Sequence, residues 1–357
     1  MRKISFLLLL FIFHFNGLKA QIIIDNNAPY DNPAWMVDNI LLGGGVTAFN
    51  HLYQGDSVQI GWFNAANTNL GINSGIVMCT GDIYELDPIT GGTFPFMTNT
   101  VVDPDLLAVA NSVPGLIGQT FTVSSVNDVA VLEFDFIPTS DSLKFNYVFG
   151  SQEYFGFENT SFNDVFGFFL SGPGIAGPWT APAAFPNGSV NLAVVPNSAP
   201  PLPITISSIN SVTPINQQYF IPNQGTALDT ISGVSGFTTV LTARALVQCG
   251  QTYHIRLAIA DGTDGALSSF VWLEAGSFFS PALTVTDDLG IDSTFMNIAC
   301  KPDITLTADG GPGVTYQWFD GTATVFSTNP SVTVGVGSYW VTATYLGCPV
   351  ISDTLTV

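Results

Sequence analysis

Two neighbouring segments decide the fold: Val131-Leu132-Glu133-Phe134-Asp135-Phe136 and Leu143-Lys144-Phe145-Asn146-Tyr147-Val148-Phe149. Both alternate apolar and polar residues with a period of two, which is typical of a β-strand with one buried face. The run Pro138-Thr139-Ser140-Asp141 between them is rich in turn-forming residues. The sequence therefore predicts an antiparallel hairpin whose buried side chains are Leu132, Phe134, Phe136 and the odd-numbered residues of the second segment.

The predicted hairpin has a defined register. Phe134 would lie opposite Phe145, and Phe136 would lie opposite Leu143. The same register places Asp135 opposite Lys144 on the solvent face, where opposite charges stabilise a strand pair. We therefore predict a cross-strand ion pair between these two residues.

Three further segments have strand character. The segment Val165 to Leu170 is apolar on both faces, as expected of a central strand. The segment Tyr253 to Ile259 alternates, which predicts that His254 and Arg256 face solvent together. The segment Val271 to Ala275 is predicted to be its neighbour.

Two short helices are predicted from their end signals. Asn32 precedes Pro33, a favourable pair for an N-cap and a first helical position, and Gly43 to Gly45 would end that helix. The run Asp103-Pro104-Asp105 opens a second helix through Asn111, with carboxylates at the positive end of its dipole. Both helices are expected to serve packing rather than a site.

The composition excludes several classes of protein. The 357 residues contain 27 acids and only 7 bases, for a formal net charge of −20. A nucleic-acid-binding protein needs a basic surface, so we expect no nucleic-acid partner. The 28 Phe, 10 Tyr and 6 Trp argue against a disordered chain.

Residues 1–20 have the pattern of a secretory signal peptide. Arg2 and Lys3 precede an apolar run from Ile4 to Phe15, and Ala20 provides a small residue for cleavage. Removal would leave four bases against all 27 acids, a charge near −23. We therefore expect an extracellular or cell-surface protein whose mature chain has no integral membrane span, and an uncleaved anchor is the alternative.

Four cysteines remain after that cleavage, and an even number in an exported chain suggests two disulfides. Of the three possible connectivities, the spacings favour Cys79–Cys249 and Cys300–Cys348. Buried free thiols are the alternative.

The predicted fold class is mainly β. Residues 21–281 would form a large β-sandwich or jelly-roll-like domain with one or two short helices, since all-β domains of this length occur. Residues 282–357 would form a second, smaller β-sandwich.

Several segments, in this order, carry a family resemblance: Val37 to Gly45, Gly71 to Gly81, Leu132 to Pro138, Phe145 to Tyr154, Phe162 to Pro173, Gly236 to Ala243 and Tyr253 to Asp261. Together they resemble the choice-of-anchor L domain of secreted bacterial proteins, over about residues 35–280. The resemblance implies a secreted or surface-held protein. It implies no reaction, because the family is named for its varying C-terminal anchors.

The chain departs from that family at two carboxylate positions. The family usually has Ser-Glu-Glu-Tyr where this chain has Ser151-Gln152-Glu153-Tyr154, and often has an Asp-Ser pair where this chain has Ser268-Ser269. The loss of two carboxylates weakens any metal site that the family shares.

The C-terminal segment is similar to the immunoglobulin-like or PKD-like modules of such proteins. Tyr316-Gln317-Trp318 places an aromatic side chain where these sandwiches bury one, and Gly337 to Thr344 has the pattern of the strand that follows a tyrosine corner. No sorting signal follows this segment, so attachment through a missing or separate C-terminal anchor stays open.

Two acidic segments are candidate calcium sites, because Ca²⁺ prefers several oxygen ligands and this chain has few competing bases. Asp261 and Asp264 belong to the loop that follows a predicted strand, and Glu153, Asn163 and Asp164 form a second group. The alternatives are a turn at the first place and a strand entry at the second. No cofactor is required.

We interpret the chain as a non-enzymatic adhesion or surface-interaction protein that displays a β-rich domain to a glycan or a surface protein. A calcium-dependent carbohydrate-binding module is one alternative. A hydrolase with two carboxylates is another, although no catalytic triad can be assembled around His51 or His254.

Overall fold

A computed structural model describes residues 22–87, 101–224, 231–280, 284–287, 303–309, 315–345, 348–352 and 354–357. The predicted signal peptide, residues 1–20, lies outside the described residues. The predicted mainly β fold class is confirmed. No helix of the described residues is long and apolar enough to cross a membrane.

The larger part of the chain forms thirteen strands and two α-helices within the described ranges. The strands are β1 Ile23–Asp25, β2 Val46–Gln54, β3 Ile60–Asn64, β4 Ser74–Cys79, β5 Val126–Pro138, β6 Ser142–Ser151, β7 Val165–Ser171, β8 Val190–Asn191, β9 Phe220–Pro222, β10 Gly236–Thr238, β11 Leu241–Leu246, β12 Tyr253–Gly262 and β13 Ser269–Glu274. The helices are α1 Pro33–Met36, which continues as a π-helical turn over Val37–Leu41, and α2 Pro104–Leu116. Short 3₁₀ turns cover Ser57–Gln59, Ile83–Leu86 and Gln217–Tyr219.

These strands form two antiparallel sheets that pack face to face. One sheet has the order β1-β3-β4-β13-β6-β10-β9, with β11 also paired to β6, and the other has the order β2-β5-β12-β7-β8. Aromatic rings from both sheets meet in the core, since Tyr147 of β6 contacts Phe166 and Phe168 of β7 at centroid distances of 5.6 and 4.8 Å. The predicted inward faces are confirmed: the side chains of Leu132, Phe134, Phe136, Leu143, Phe145, Tyr147 and Phe149 are buried.

The predicted hairpin between β5 and β6 is wrong. Strand β5 pairs with β2 and β12, whereas β6 pairs with β10, β11 and β13 in the facing sheet. Asp135 lies opposite His254, and Lys144 lies opposite Arg244, so the predicted Asp135–Lys144 ion pair does not form. The short connection between β5 and β6 therefore crosses the core from one sheet to the other.

The predicted pairing of the Val271 to Ala275 segment with β12 is wrong for the same reason. That segment lies in β13, which pairs with β4 and β6 and not with β12. Facing strands and paired strands both put one face toward the core, so the alternation of side chains cannot distinguish them. The β6–β7 and β12–β13 connections also change sheets, and these two connections carry the candidate site.

Helix α2 begins as predicted, with Asp103 at the N-cap accepting a hydrogen bond from the Leu106 amide and Pro104 at the first position. It extends beyond the predicted end at Asn111 because its apolar face is buried. Leu106, Val109 and Ala110 pack against the outer face of the five-stranded sheet. Helix α1 also begins as predicted, at Asn32 and Pro33.

The prediction that His254 and Arg256 face solvent is wrong. They do share the outer face of β12, but their side chains are only 12% and 16% exposed. Helix α2 covers Arg256, whose guanidinium pairs with Asp103 and Asp105 and lies 4.3 Å from the centre of the Phe169 ring.

A separate core lies in the C-terminal strands. They are β14 Thr284–Thr286, β15 Ile304–Asp309, β16 Thr315–Asp320, β17 Val325–Ser327, β18 Ser331–Val334, β19 Ser338–Tyr345, β20 Cys348–Ile351 and β21 Leu355–Thr356. They form a three-stranded sheet, β14-β15-β18, and a five-stranded one, β17-β16-β19-β20 with β21 beside β19. Trp318 is fully buried between them and donates to the Asn329 carbonyl at 2.9 Å.

The predicted Cys79–Cys249 disulfide is wrong. Cys79 is a buried free thiol whose Sγ lies 3.0 Å from the Gly81 carbonyl, and Cys249 is disulfide-bonded. Burial raises the pKa of the Cys79 thiol well above its ordinary value, so the group stays protonated. Cys300 lies outside the described residues, so the predicted Cys300–Cys348 pair stays a prediction.

Candidate functional site

A buried group of carboxyl side chains lies where two connections cross between the sheets. The β6–β7 connection carries Glu153 and Asp164, and the β12–β13 connection begins beside Asp261. Their side chains meet because Ser269 is opposite Ser151 in one sheet and Ala260 is opposite Val165 in the other. We call Glu153, Asn163, Asp164 and Asp261 the acid cluster.

Asp164 is the best anchored member of the acid cluster. Its Oδ1 accepts from the Gly262 amide at 2.9 Å, and its Oδ2 accepts from the Ser269 hydroxyl at 2.7 Å. Both Glu153 and Asp261 lie within hydrogen-bonding reach of the Asp164 carboxyl. The structure therefore brings together residues of the two predicted calcium segments.

Three oxygen atoms of the acid cluster are buried without an N–H or O–H partner. They are Glu153 Oε2, Asn163 Oδ1 and Asp261 Oδ1, on residues that are 3%, 0% and 3% exposed. The Asn163 amide nitrogen donates to the Ala110 carbonyl at 3.3 Å, which fixes the side chain while its oxygen stays unpaired. Unpaired buried acceptors are costly, so this arrangement needs an additional partner.

The carboxyl groups of the acid cluster have no basic partner among the described residues. The described ion pairs belong to His51, His254 and Arg256, and none of them reaches the cluster. Burial raises the pKa of Glu153, Asp164 and Asp261, and for Glu153 and Asp261 the neighbouring carboxylates add to the effect. In the absence of a cation, the folded chain therefore holds protons in this cluster at neutral pH.

A further carboxylate, absent from the sequence predictions, lies beside the acid cluster. Asp128 is buried, its pKa is raised by burial to about 6, and its charge acts on Asp261. A Cβ atom at Gly265 would lie 2.1 Å from Asp128 Oδ2 and 3.8 Å from Asp261 Oδ2, so a larger residue at this position would displace the Asp128 carboxylate. In the sequence, Asp128 is an isolated carboxylate near the start of a strand, and this pattern alone does not indicate a site.

Asp264, the predicted ligand that shares a loop with Asp261, is exposed. Its Oδ1 accepts from the Ala266 amide at 3.2 Å, an arrangement typical of a turn. Among the described ranges, no three His, Cys, Asp or Glu side chains surround a point as ligands of a formed metal centre would. The carboxyls of the acid cluster instead lie against one another.

The two departures from the family pattern lie side by side, away from the acid cluster's own oxygens. The Ser268 amide donates to Gln152 Oε1 at 3.1 Å. Gln152 Nε2 and the Ser268 hydroxyl donate to the two oxygens of Glu85, at 2.8 and 3.2 Å. The neutral residues thus surround another buried acid, Glu85, and remove no member of the acid cluster.

Glu85 should make stability depend on pH. It is 7% exposed, and burial raises its pKa from 4.5 to about 7. Between these values the folded state holds a proton that the unfolded state has lost, so stability falls as pH rises from about 4.5 to about 7. Chemical denaturation measures the free energy of unfolding at each pH. We expect this free energy to fall by roughly 3 kcal/mol more over that pH interval in the wild type than in Glu85→Gln. Equal pH profiles for the two proteins would contradict this.

The His254 group is a structural ion-pair arrangement. Its Nδ1 lies 2.9 Å from Asp135 Oδ1 and its Nε2 lies 3.2 Å from Glu133 Oε2. Both ring nitrogens are therefore engaged by carboxylates, which leaves neither nitrogen free to accept a proton from a nucleophile. A cavity of about 250 Å³ beside it is lined by Glu133, Phe169, Ser171, Thr180, Ala181, Pro182, His254 and Arg256.

A larger groove lies between an edge of each sheet. Its volume is about 570 Å³, within the range of ligand pockets. Segment 191–201 forms one wall, and residues 240–244 of the β11 region form the other, with Tyr219 between them. The lining residues are Asn191, Leu192, Val194, Val195, Pro196, Asn197, Ser198, Pro201, Tyr219, Val240, Leu241, Thr242 and Arg244.

Arg244 is the basic residue of this groove. It is exposed and forms no ion pair with the described carboxylates, although the chain is strongly acidic. It lies directly opposite Lys144 on β6, so two of the few bases are neighbours in the sheet. Like charges in this position are unfavourable without an anionic partner.

The two facing antiparallel sheets, joined by connections that cross the core, define a β-sandwich module. The chain belongs to the choice-of-anchor L domain family, whose model matches residues 24–279. This confirms the family predicted from the sequence segments.

A solved structure, the adhesin domain of Epf from Streptococcus pyogenes, is 9% identical to the chain. The alignment covers 64% of this chain and 75% of that one, with a TM-score of 0.18. A likeness at this level carries no information about function. No curated protein matches the chain in sequence.

Proposed function

We propose that this protein is a non-enzymatic interaction module that is either held on the bacterial cell surface or secreted. We also propose that the groove beside Arg244 binds its ligand. Membership of the choice-of-anchor L family supports the location, since that family consists of secreted and surface-held proteins. The groove supports the binding role, because its volume and mixed lining match those of ligand pockets.

The ligand class that this groove favours is a glycan carrying a carboxylate. Tyr219 offers a ring edge or face to a sugar, while Asn191, Asn197 and Thr242 line the groove with amide and hydroxyl groups. Arg244 provides a planar donor fork that matches a carboxylate. The unpaired Arg244 is the observation that carries this choice, because the rest of the protein repels anions.

The carboxyl pairs of this chain favour binding over hydrolysis. Glycosidases place two carboxyl groups about 5–10 Å apart on either side of a cleft. Glu153 and Asp164 touch each other and are 3% and 1% exposed, so a sugar has no access to them. Glu133 and Asp135 are both engaged by His254.

The C-terminal strands would act as a spacer. The buried Trp318 between a three-stranded and a five-stranded sheet supports an immunoglobulin-like or PKD-like module over residues 282–357. Such a module would hold the larger domain, residues 21–281, away from the attachment point.

A glycan array probed with residues 21–357 tests the proposed ligand. We expect binding to glycans with uronic or sialic acids and weaker binding to their neutral counterparts. Arg244→Ala should weaken that binding roughly tenfold to hundredfold, because a hydrogen-bonded charge pair is lost. Lys144→Ala is the matched control, since Lys144 is the cross-strand neighbour of Arg244 but does not line the groove.

The control should bind within about twofold of wild type, as expected for a charge outside the groove. Array binding that is equal for wild type and Arg244→Ala would overturn the assignment of the groove. Turnover of any bound glycan would overturn the non-enzymatic role.

A further inference from the structure

We propose that the acid cluster binds one calcium ion as a structural ligand that ties the β6–β7 connection to the β12–β13 connection. This goes beyond the proposed function, because the cluster is buried between the sheets and does not line the groove. The proposal rests on the unpaired oxygens, on their chemical type and on the distribution of positive charge in the chain.

The acid cluster contains three unpaired oxygens. Glu153 Oε2, Asn163 Oδ1 and Asp261 Oδ1 are all buried and all lack a donor. A proton shared between two carboxyls satisfies one contact at a time, whereas a cation satisfies every oxygen around it. Carboxylate and amide oxygens are the ligands that Ca²⁺ takes in proteins, and it needs about six to eight of them.

The described basic side chains of the predicted mature chain all lie outside the acid cluster. Arg256 pairs with Asp103 and Asp105, the Lys144 ammonium lies 4.5 Å from the centre of the Phe279 ring, and Arg244 lines the groove. These are the described Lys and Arg residues of the predicted mature chain. A buried carboxylate stays ionised only when it is paired or metal-bound, so an ion from solution is the partner that would replace the protons of this cluster.

The calcium site would form by rearrangement of side chains that already meet. The Glu153 and Asp164 carboxyls now touch, and the four side chains do not yet surround a common point. Asp164 is held by the Gly262 amide and the Ser269 hydroxyl, so it offers a fixed oxygen from which the ion can bind. Rotation of the Glu153 side chain would then admit the ion in place of the acid–acid contact.

Calcium bound at the acid cluster would make this end of the sandwich rigid. Glu153 and Asp164 belong to one connection, and Asp261 belongs to the other. One ion shared by both connections would oppose separation of the two sheets at this end. Asp128, beside Asp261, would add negative charge and increase the affinity.

The test is a thermal melt of residues 21–357 at neutral pH after removal of metals with EDTA. We expect added calcium to raise the Tm by roughly 5–10 °C at a hundredfold excess over the Kd. Extracellular calcium modules have Kd values up to about 1 mM, so the titration extends to about 100 mM to reach that excess. Equilibrium dialysis of the wild-type chain with radioactive calcium should give one ion per chain.

Two variants separate a cation site from a merely acidic core. Glu153→Gln should abolish the calcium-dependent shift, and it should keep or raise the Tm in EDTA because a buried ionisable group is removed. Glu85→Gln is the matched control, since Glu85 is also buried but its oxygens already accept hydrogen bonds from Gln152 and Ser268. It should leave the calcium-dependent shift unchanged.

The absence of both a Tm shift and bound calcium in the wild-type chain would overturn the proposal. So would a calcium shift that Glu153→Gln retains in full. Neither outcome bears on the groove, whose glycan binding is measured separately through Arg244.

Discussion

Phe278→Ala should lower the free energy of unfolding by about 3–5 kcal/mol, the usual cost of removing a large buried aromatic side chain. Phe278 is fully buried and its ring lies 5.2 Å from those of Phe134, Phe136 and Phe145. The first two belong to β5 and the third belongs to β6, so this ring fills the space between the facing sheets. Urea denaturation followed by tryptophan fluorescence measures the loss.

Phe279→Ala is the matched control for Phe278→Ala. Its ring is only partly buried and its described partner is the Lys144 ammonium, 4.5 Å from the ring centre. A cation–π contact of this kind contributes about 1 kcal/mol. Equal losses for the two variants would contradict the position of Phe278 between the sheets.

Arg256→Met should be the second strongly destabilising change, at about 3–5 kcal/mol. The guanidinium pairs with both Asp103 and Asp105, which are 3% and 8% exposed. Methionine retains much of the packing on Phe169 but leaves two buried carboxylates without a counter-charge. Asp103 is also the N-cap of α2, so circular dichroism should report weakened helix signal along with the lower stability.

Arg244→Met tests the same chemical change at an exposed position. Because Arg244 forms no ion pair with the described carboxylates, its loss should change stability by no more than about 0.5 kcal/mol. A loss as large as that of Arg256→Met would show that net charge, rather than the buried pairs, controls stability.

The faces of the strands were predictable from sequence, whereas their neighbours were not. Alternation correctly identified Phe134 and Phe145 as buried. It could not decide whether β5 and β6 lie side by side or face to face, because both arrangements bury the same side chains. A four-residue turn signal favoured a hairpin, yet the strands have other partners in separate sheets.

The exposure of β12 was mispredicted for a related reason. Polar residues on one strand face usually indicate solvent, but here helix α2 brings Asp103 and Asp105 onto Arg256. The helix start at Asp103 was read correctly from its N-cap signal. Its docking partner depended on tertiary packing that local sequence does not encode.

The acid cluster was predictable in its members but not in its assembly. Glu153, Asn163, Asp164 and Asp261 were each candidate ligands, in two segments about 100 residues apart. Only the sheet-changing connections bring them together, and the same connections leave Asp264 in an exposed turn. Asp128 was missed because its contribution depends on the close approach of Gly265.

Diffraction tests most directly whether the buried carboxylates of this acidic chain form a cation site. Crystals grown with calcium, measured at a long wavelength where calcium scatters anomalously, should give one peak between Glu153, Asp164 and Asp261. Oxygen atoms of these residues should lie about 2.3–2.6 Å from that peak. The absence of a peak at saturating calcium would contradict a cation site here, if the Glu153 and Asp164 carboxyls are then still in mutual contact.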